Sequence, residues 1–152
     1  MAASAWQLYN EAKYYIGNGT ITLGAGVFKM VLLKSASNTS TFTLSTYAQL
    51  TNEVATAAGY VAGGRSLVPA TGQWAQGASA KQQKFTMSAI GIAFTASGAN
   101  IADIKFAVIR NSTGTTAGKL LCWCKLSSSQ FTVATPNTLT VLPAATGIFT
   151  LT

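Results

Sequence analysis

Three carboxylates and two thiols are the side chains with which this chain could carry out acid–base or nucleophilic chemistry. The carboxylates are Glu11, Glu53 and Asp103, the thiols are Cys122 and Cys124, and the chain has no histidine. Without an imidazole base, Ser-His-Asp and Cys-His catalysis are excluded, as are most zinc sites. Glycoside hydrolysis needs two positioned carboxylates, and no motif brings any two of these three together.

We therefore expect no catalytic residue, no cofactor, no metal ligand and no enzymatic activity. Glu53 is expected as a solvated helical charge or as the partner of a lysine, and Asp103 as a turn residue. Gly24-Ala25-Gly26 lacks the rest of a phosphate-binding loop or a dinucleotide-binding fingerprint.

The two cysteines lie in an apolar run and are separated by one residue, Trp123. On a strand Cys122 and Cys124 point to the same face, which is poor geometry for a disulfide between them. We expect two small buried thiols in a protein made in the cytoplasm. Trp123 points to the other face, towards a second packed layer, a subunit contact or solvent.

The composition is that of a folded domain with very little charge. Its 152 residues suit a single domain, residues 1–152, and a hydrophobic fraction of 49% excludes ordinary disorder. Charged residues make up 9%, against about a quarter in typical soluble domains. A surface of Ser, Thr, Asn, Gln and Gly indicates burial against copies of the chain or other partners. The alternative is a β protein that is simply rich in hydroxyl groups.

The net charge of +7 comes from ten basic residues that are spread singly along the chain. Without a basic run, a polybasic arm for specific nucleic-acid binding is not expected, although general attraction to DNA stays open. Docking onto an acidic protein surface fits the dispersed pattern better. The chain shows neither a secretory signal pattern nor an apolar window long enough to span a membrane, so no membrane partner is expected.

Two helices are predicted from capping boxes. Ser4-Ala5-Trp6-Gln7 opens an amphipathic helix over residues 4–16, which Gly17-Asn18-Gly19 ends. Its aromatic residues, Trp6 and Tyr14 among them, cover more than one side, which indicates contact with another subunit or two edges of one broad buried face. A second box at residues 46–49 opens a short internal helix over residues 45–54.

Strand patterns recur along the rest of the chain, separated by turn residues. The central strand is expected at residues 27–34, and residues 104–110 and 119–126 form an antiparallel pair. The other strand segments are residues 20–23, 41–44, 85–87, 89–94, 131–133, 138–141 and 148–151, with a further strand opening at Gly59-Tyr60. The fold class is mainly β, an antiparallel β-sandwich of jelly-roll-like type with the two helices.

Residues 63–84 lack periodicity and are predicted as a long loop or arm. A loop of this length is usually functional, and it carries Arg65 and Trp74, two residue types enriched at interface hot spots. The alternative is a short strand at residues 67–68 followed by a hairpin with Trp74 in the core. The predicted partner interface consists of Trp6, Tyr14, Arg65, Trp74, Lys81 and Lys84.

Several short segments resemble a family of small virion structural proteins of tailed bacteriophages. They are Trp6-Gln7-Leu8-Tyr9, residues 28–33 and 35–38, residues 47–54, Gly59-Tyr60 with Gly63-Gly64, residues 106–109 and residues 147–151. The resemblance implies a virion component made in the host cytoplasm.

With the low charge and the β pattern, the resemblance favours a capsid decoration or cement protein. Its partners would be the major capsid protein and copies of itself, bound through modest contacts that symmetry repeats. A tail or neck component is the alternative within the virion. A glycan-binding module that uses Trp74 or Trp123 is the alternative of another class.

Overall fold

The computed structural model describes residues 3–67, 73–114 and 117–151. Within these ranges the chain is mainly β, and its strands pair in antiparallel fashion. The elements are β1 Gln7–Leu8, α1 Asn10–Gly17, β2 Phe28–Lys34, a 3₁₀ helix Tyr47–Gln49, β3 Arg65–Ser66, β4 Trp74–Gln76, β5 Gln83–Phe85, β6 Ile92–Thr95, β7 Ile101–Asn111, β8 Leu120–Lys125, β9 Phe131–Val133, β10 Thr138–Val141 and β11 Phe149–Leu151.

The largest sheet is built around β2, β7 and β8. Its strand order is β1-β8-β7-β2-β3, and β9 pairs with β7 beside this path. Val31 of β2 stands opposite Val108 of β7, which stands opposite Trp123 of β8. Residues 30–33 are fully buried although their side chains alternate between the two faces. A strand that is covered on both faces needs a continuous apolar run, as residues 28–33 largely provide. Because β2 spans Phe28–Lys34 and pairs on both sides, the prediction of a central strand at residues 27–34 is confirmed.

Two smaller sheets complete the β structure, one of order β10-β6 and one of order β11-β5-β4. The Phe28 ring of β2 meets the Phe85 ring of β5 edge to face at 5.0 Å, and Phe85 stacks on Phe149 of β11 at 5.3 Å. These rings join the three-stranded sheet to the largest sheet through apolar contact. A mainly β fold with antiparallel sheets is confirmed, and the jelly-roll-like sandwich stays a prediction.

The N-terminal helix is shorter than predicted, because the proposed capping box at Ser4 does not form. The helix begins at Asn10, and the segment before it joins the edge of the largest sheet as β1. Ser4 donates its N–H to the Lys125 carbonyl at 2.8 Å, and its hydroxyl accepts the Lys125 N–H at 2.9 Å. Pairing with β8 therefore replaces the first helical turn. The predicted end is confirmed, since α1 ends at Gly17 and Gly19 has a φ of 77°.

The internal helix is reduced to one 3₁₀ turn within the predicted range of residues 45–54. The Gln49 amide oxygen accepts the Thr46 N–H at 3.0 Å, as the capping pattern predicts. Leu50 then returns to extended backbone. Residues 52–54 instead run beside β2, where Val54 donates its N–H to the Leu32 carbonyl at 3.0 Å.

Three predicted strands of the first half do not form. Residues 20–23 and 41–44 make turns and irregular structure, although Ile21, Leu23 and Leu44 are buried as the alternation requires. At Gly59-Tyr60 the chain makes a tight turn closed by a bridge between Ala57 and Tyr60. Burial alternates in these segments without a strand, because their backbone groups form hydrogen bonds in turns and irregular structure rather than along a neighbouring strand.

The prediction of a long loop or arm at residues 63–84 is wrong, because the described part of this range contains β3, β4 and most of β5. Residues 68–72, which include part of the alternative strand at 67–68, lie outside the described residues. β4 and β5 form a hairpin in which Trp74 stands opposite Phe85. In the second half, the antiparallel pairing of β7 with β8 and the strands β6, β9, β10 and β11 confirm the predicted segments within a few residues.

Candidate functional site

Two of the six predicted interface residues, Trp6 and Lys84, line one open groove of about 1040 Å³. Its walls are residues 3–6, which lead into β1, the hairpin of β4 and β5, and residues 142–150, which end in β11. Lys84 is the one charged residue among the described residues that line it. Lys81 is exposed in the hairpin turn, between lining residues Ala78 and Gln82. The groove therefore unites residues that lie far apart in the sequence.

The other three predicted interface residues lie away from this groove. Tyr14 projects from α1 with 64% of its surface exposed, and its ring lies 6.0 Å from that of Tyr15. Arg65 is exposed in β3 and donates from Nη1 to the Ala93 carbonyl at 2.5 Å, which ties β3 to β6. Trp74 is half-buried and packs against the core.

Arg65 also borders a second, smaller pocket of about 370 Å³. The rings of Tyr60 and Phe94 line it and lie 5.9 Å apart, and exposed Val61 lies at its side. Because Arg65 bonds a backbone carbonyl across β3 and β6, its position serves the packing of these strands.

Glu53 lies at the centre of a cluster of hydrogen bonds, and the sequence prediction for Glu53 was wrong. Tyr47 donates its hydroxyl hydrogen to Glu53 Oε2 in a short hydrogen bond, and Tyr60 donates to Oε1 at 2.7 Å. The Gly63 N–H also donates to Oε1, at 2.7 Å. Glu53 is thus neither a solvated helical charge nor the partner of a lysine. We call Tyr47, Glu53, Tyr60, Gly63 and Arg110 the Glu53 cluster.

Arg110 closes the Glu53 cluster from β7. Its Nη2 and Nε donate to the Gly63 carbonyl at 2.8 and 3.2 Å, and its guanidinium lies 4.5 Å from the centre of the Tyr47 ring. The Tyr60 hydroxyl accepts the Leu32 N–H at 3.1 Å. The cluster therefore fastens residues 47–63 to β2 and β7.

Both tyrosines of the cluster are held in the protonated form. Burial, and then the hydrogen bond to Glu53, raise the pKa of Tyr47 to about 12. The same two causes raise the pKa of Tyr60 well above its ordinary value. Hydroxyls that stay protonated at neutral pH are lasting donors to the carboxylate and cannot serve as general bases. The chemistry of the cluster is that of a structural clamp.

Of the remaining reactive groups, both thiols are buried and Asp103 lies within a strand. Cys122 and Cys124 are buried, as the sequence predicts, and burial raises the pKa of Cys124 to about 12 and that of Cys122 well above its ordinary range. Asp103 lies inside β7 with a φ of 63°, rather than in a turn, and its Oδ2 is 3.9 Å from Lys34 Nζ. Such an exposed pair contributes little stability.

Trp123 lies beside two aromatic rings, the buried Phe106 ring and the partly exposed Phe42 ring. The Phe42 ring is 5.9 Å away and the Phe106 ring 6.1 Å away, and 6% of the Trp123 surface is exposed. Trp123 is therefore covered within the chain, by a ring of the neighbouring strand β7 and by Phe42, and is not exposed to solvent. A ring covered in this way has no free face for stacking on a sugar.

Over residues 3–67, 73–114 and 117–151, no group of three His, Cys, Asp or Glu side chains could hold a metal ion. None of the helices in this part of the chain is long and apolar enough to cross a membrane. Comparisons with protein-family models, with curated proteins and with solved structures gave no match.

Proposed function

We propose that this protein is a non-enzymatic structural component of a bacteriophage virion, most specifically a capsid decoration or cement protein. The observation that carries the proposal is a pair of exposed apolar side chains on a surface with little charge. Ile90 is 80% exposed and Leu142 is 58% exposed. They flank the paired strands β6 and β10. Gly91, the residue after Ile90, lies against Leu142, since a Cβ added to Gly91 would be 2.7 Å from Leu142 Cδ2.

An exposed apolar patch on a monomer commonly marks a protein contact. Tyr14 and Val61, which are 64% and 65% exposed, add apolar surface at two further places. Contacts at several places on one small domain suit an assembly in which each subunit touches more than one neighbour. Symmetry then multiplies modest contacts into stable attachment.

The reactive groups also support a structural role. Both thiols are buried in protonated form, and the Glu53 carboxylate is engaged by three donors. An enzyme needs its nucleophile or base accessible to substrate.

The resemblance to small virion proteins supports the choice of the phage particle, and the net charge of +7 supports an acidic partner surface. The partners we propose are the major capsid protein and copies of this chain. The rings that join two sheets at Phe28 and Phe85 support a jelly-roll-like sandwich as the framework.

The copy number and radial position of the chain in purified particles test this function. Quantitative mass spectrometry against the major capsid protein, together with electron cryomicroscopy, gives both. Copies on the order of hundreds, on the outside of the head, are expected, since the attachment follows the symmetry of the shell. A few copies in multiples of three or six along the tail would assign the chain to the tail or neck instead.

A further inference from the structure

The groove that contains Trp6 and Lys84 is lined by segments that lead into, or belong to, the outer strands of two sheets. Residues 3–6 lead into β1, the outer strand of the largest sheet, and Phe149 and Thr150 belong to β11, the outer strand of the three-stranded sheet. Among the described residues, no further strand pairs with β1 or β11 on its outer side. An open strand edge offers backbone N–H and C=O groups to which an extended segment can add.

The lining of the groove permits close approach of another backbone. Many of the lining residues are Ala or Gly, which place little side chain between an incoming segment and the strand edges. The large apolar lining residues are Trp6, Leu142, Ile148 and Phe149, and Trp6 is half-buried at the wall. A partly buried tryptophan is a typical anchor of a protein interface.

The charges around the groove select the partner. Lys84 lines it, exposed Lys81 stands in the adjoining turn, and no carboxylate is found among the described lining residues. A second copy would bring a further net charge of +7 to this basic site, whereas an acidic segment would be attracted to it. A nucleic-acid strand needs a row of phosphate contacts, which a single lining lysine does not supply.

We propose that the groove binds an extended, acidic segment of a partner protein, which adds as a β-strand at these open edges and places a carboxylate near Lys84. The inference rests on the proposed function in one respect, namely that the partner is a protein. It names the chemistry of that partner, and its test requires no phage particle.

The test is a titration of the isotope-labelled full chain, followed by NMR, with three probes. The first is a short peptide in which glutamate and threonine alternate, the second is the same peptide with lysine in place of glutamate, and the third is a short oligothymidylate. The acidic peptide, and neither of the other two probes, is expected to cause saturable shifts of the amide signals from residues 3–6 and from β11. Equal binding of the lysine peptide, tighter binding of the oligothymidylate, or shifts confined to other surfaces would overturn the proposal.

Two variants and one control locate the binding. Lys84→Glu should weaken the acidic peptide about tenfold, because a charge contact becomes a repulsion. Lys13→Glu makes the same change of net charge on exposed α1 and should leave the affinity unchanged. Ala145→Trp fills the groove from an exposed turn and should abolish binding while the remaining spectrum stays folded. Concentration-dependent shifts of the same amides without peptide would show that a second copy occupies the groove, and the proposal would then be wrong.

Discussion

Tyr60 donates its hydroxyl hydrogen to Glu53 Oε1 at 2.7 Å while the same hydroxyl accepts the Leu32 N–H of β2 at 3.1 Å. One buried side chain thereby connects the central strand to a carboxylate on the neighbouring segment. Because Tyr47 and the Gly63 N–H donate to the same carboxylate, Glu53 joins three separate points of residues 47–63 to one another.

Replacement of that charge should destabilise the fold. Glu53→Gln leaves an amide that cannot accept from all three donors, and hydrogen bonds to charged groups contribute about 1.5–3 kcal/mol. We expect the free energy of unfolding, measured with urea, to fall by about 2 kcal/mol. Glu11→Gln, in the exposed first turn of α1, is the matched control and should change it by less than about 1 kcal/mol, the usual contribution of a charge at a helix N-terminus. Equal losses in the two variants would contradict the structural role of the cluster.

The raised pKa of Tyr47 predicts a loss of stability in alkali. The folded-state pKa of about 12 lies above the ordinary value of 10.0, so the unfolded chain loses the proton first. The contribution of Tyr47 is fully present below about pH 10 and is lost as the pH rises towards about 12. Urea unfolding across this range should show a steep fall for the native chain. Tyr47→Phe should show a shallower fall, and an unchanged slope would exclude Tyr47 as a source.

Strands β2, β7 and β8 of the largest sheet could be predicted because their sequence pattern is local. Residues 28–34 and 120–125 are apolar runs, and such runs of this length form strands buried on both faces. The start of the N-terminal helix could not be predicted in this way. At Ser4 the capping pattern competes with hydrogen bonding to Lys125, which is 121 residues away in sequence. The structure contains the hydrogen bonds to Lys125 and not the capping box.

The candidate groove and the Glu53 cluster were not predicted, for the same reason. Trp6 and Lys84 could be chosen by residue type, but the proximity of their segments depends on how two separate sheets pack together. Glu53 is one of three acids in the chain, and Tyr47 and Tyr60 lie six residues before and seven after it. That scarcity was a usable signal, whereas the approach of Arg110 on β7 was not visible from the sequence.

The buried thiols predict that the native protein resists thiol reagents. Reaction requires the thiolate, and burial holds both cysteines in the protonated form. We expect Cys122 and Cys124 to react with an aromatic disulfide reagent at the rate of global unfolding, and rapidly in denaturing urea. Thr132→Cys places a thiol at an exposed position of β9 and should react at once in the native state. Rapid labelling of the unaltered native chain would show that β8 opens locally.

Because Ile90 is exposed, its replacement should weaken assembly without lowering the stability of the free chain. Ile90→Ser removes apolar surface that the free chain leaves in water, so the free energy of unfolding should change by less than about 0.5 kcal/mol. Under the proposed function, the amount of the chain retained on purified heads should fall several-fold, since each symmetry-related copy loses the same contact. Thr132→Ser, on the exposed surface of β9, serves as the control for binding. Unaltered retention of Ile90→Ser would remove this patch from the interface.

Two glycines with similar backbone conformations should differ sharply when each is replaced by alanine. Gly64 has a φ of 82° and Gly19 a φ of 77°, so both substitutions place a side chain in the left-handed region at a cost of about 1–2 kcal/mol. At Gly64 the new Cβ would also lie 2.2 Å from the Met30 carbonyl oxygen, whereas at Gly19 nothing lies within 4 Å.

Gly64→Ala must therefore displace β3 from β2, and the segment that carries Gly63 moves with it. We expect urea unfolding to show a loss for Gly64→Ala that exceeds the loss for Gly19→Ala by at least about 2 kcal/mol. Because Gly63 donates to Glu53, the loss from Gly64→Ala and Glu53→Gln together should be smaller than the sum of the two separate losses. Strict additivity of the two substitutions would show that the close approach at Met30 and the Glu53 cluster stabilise the fold independently.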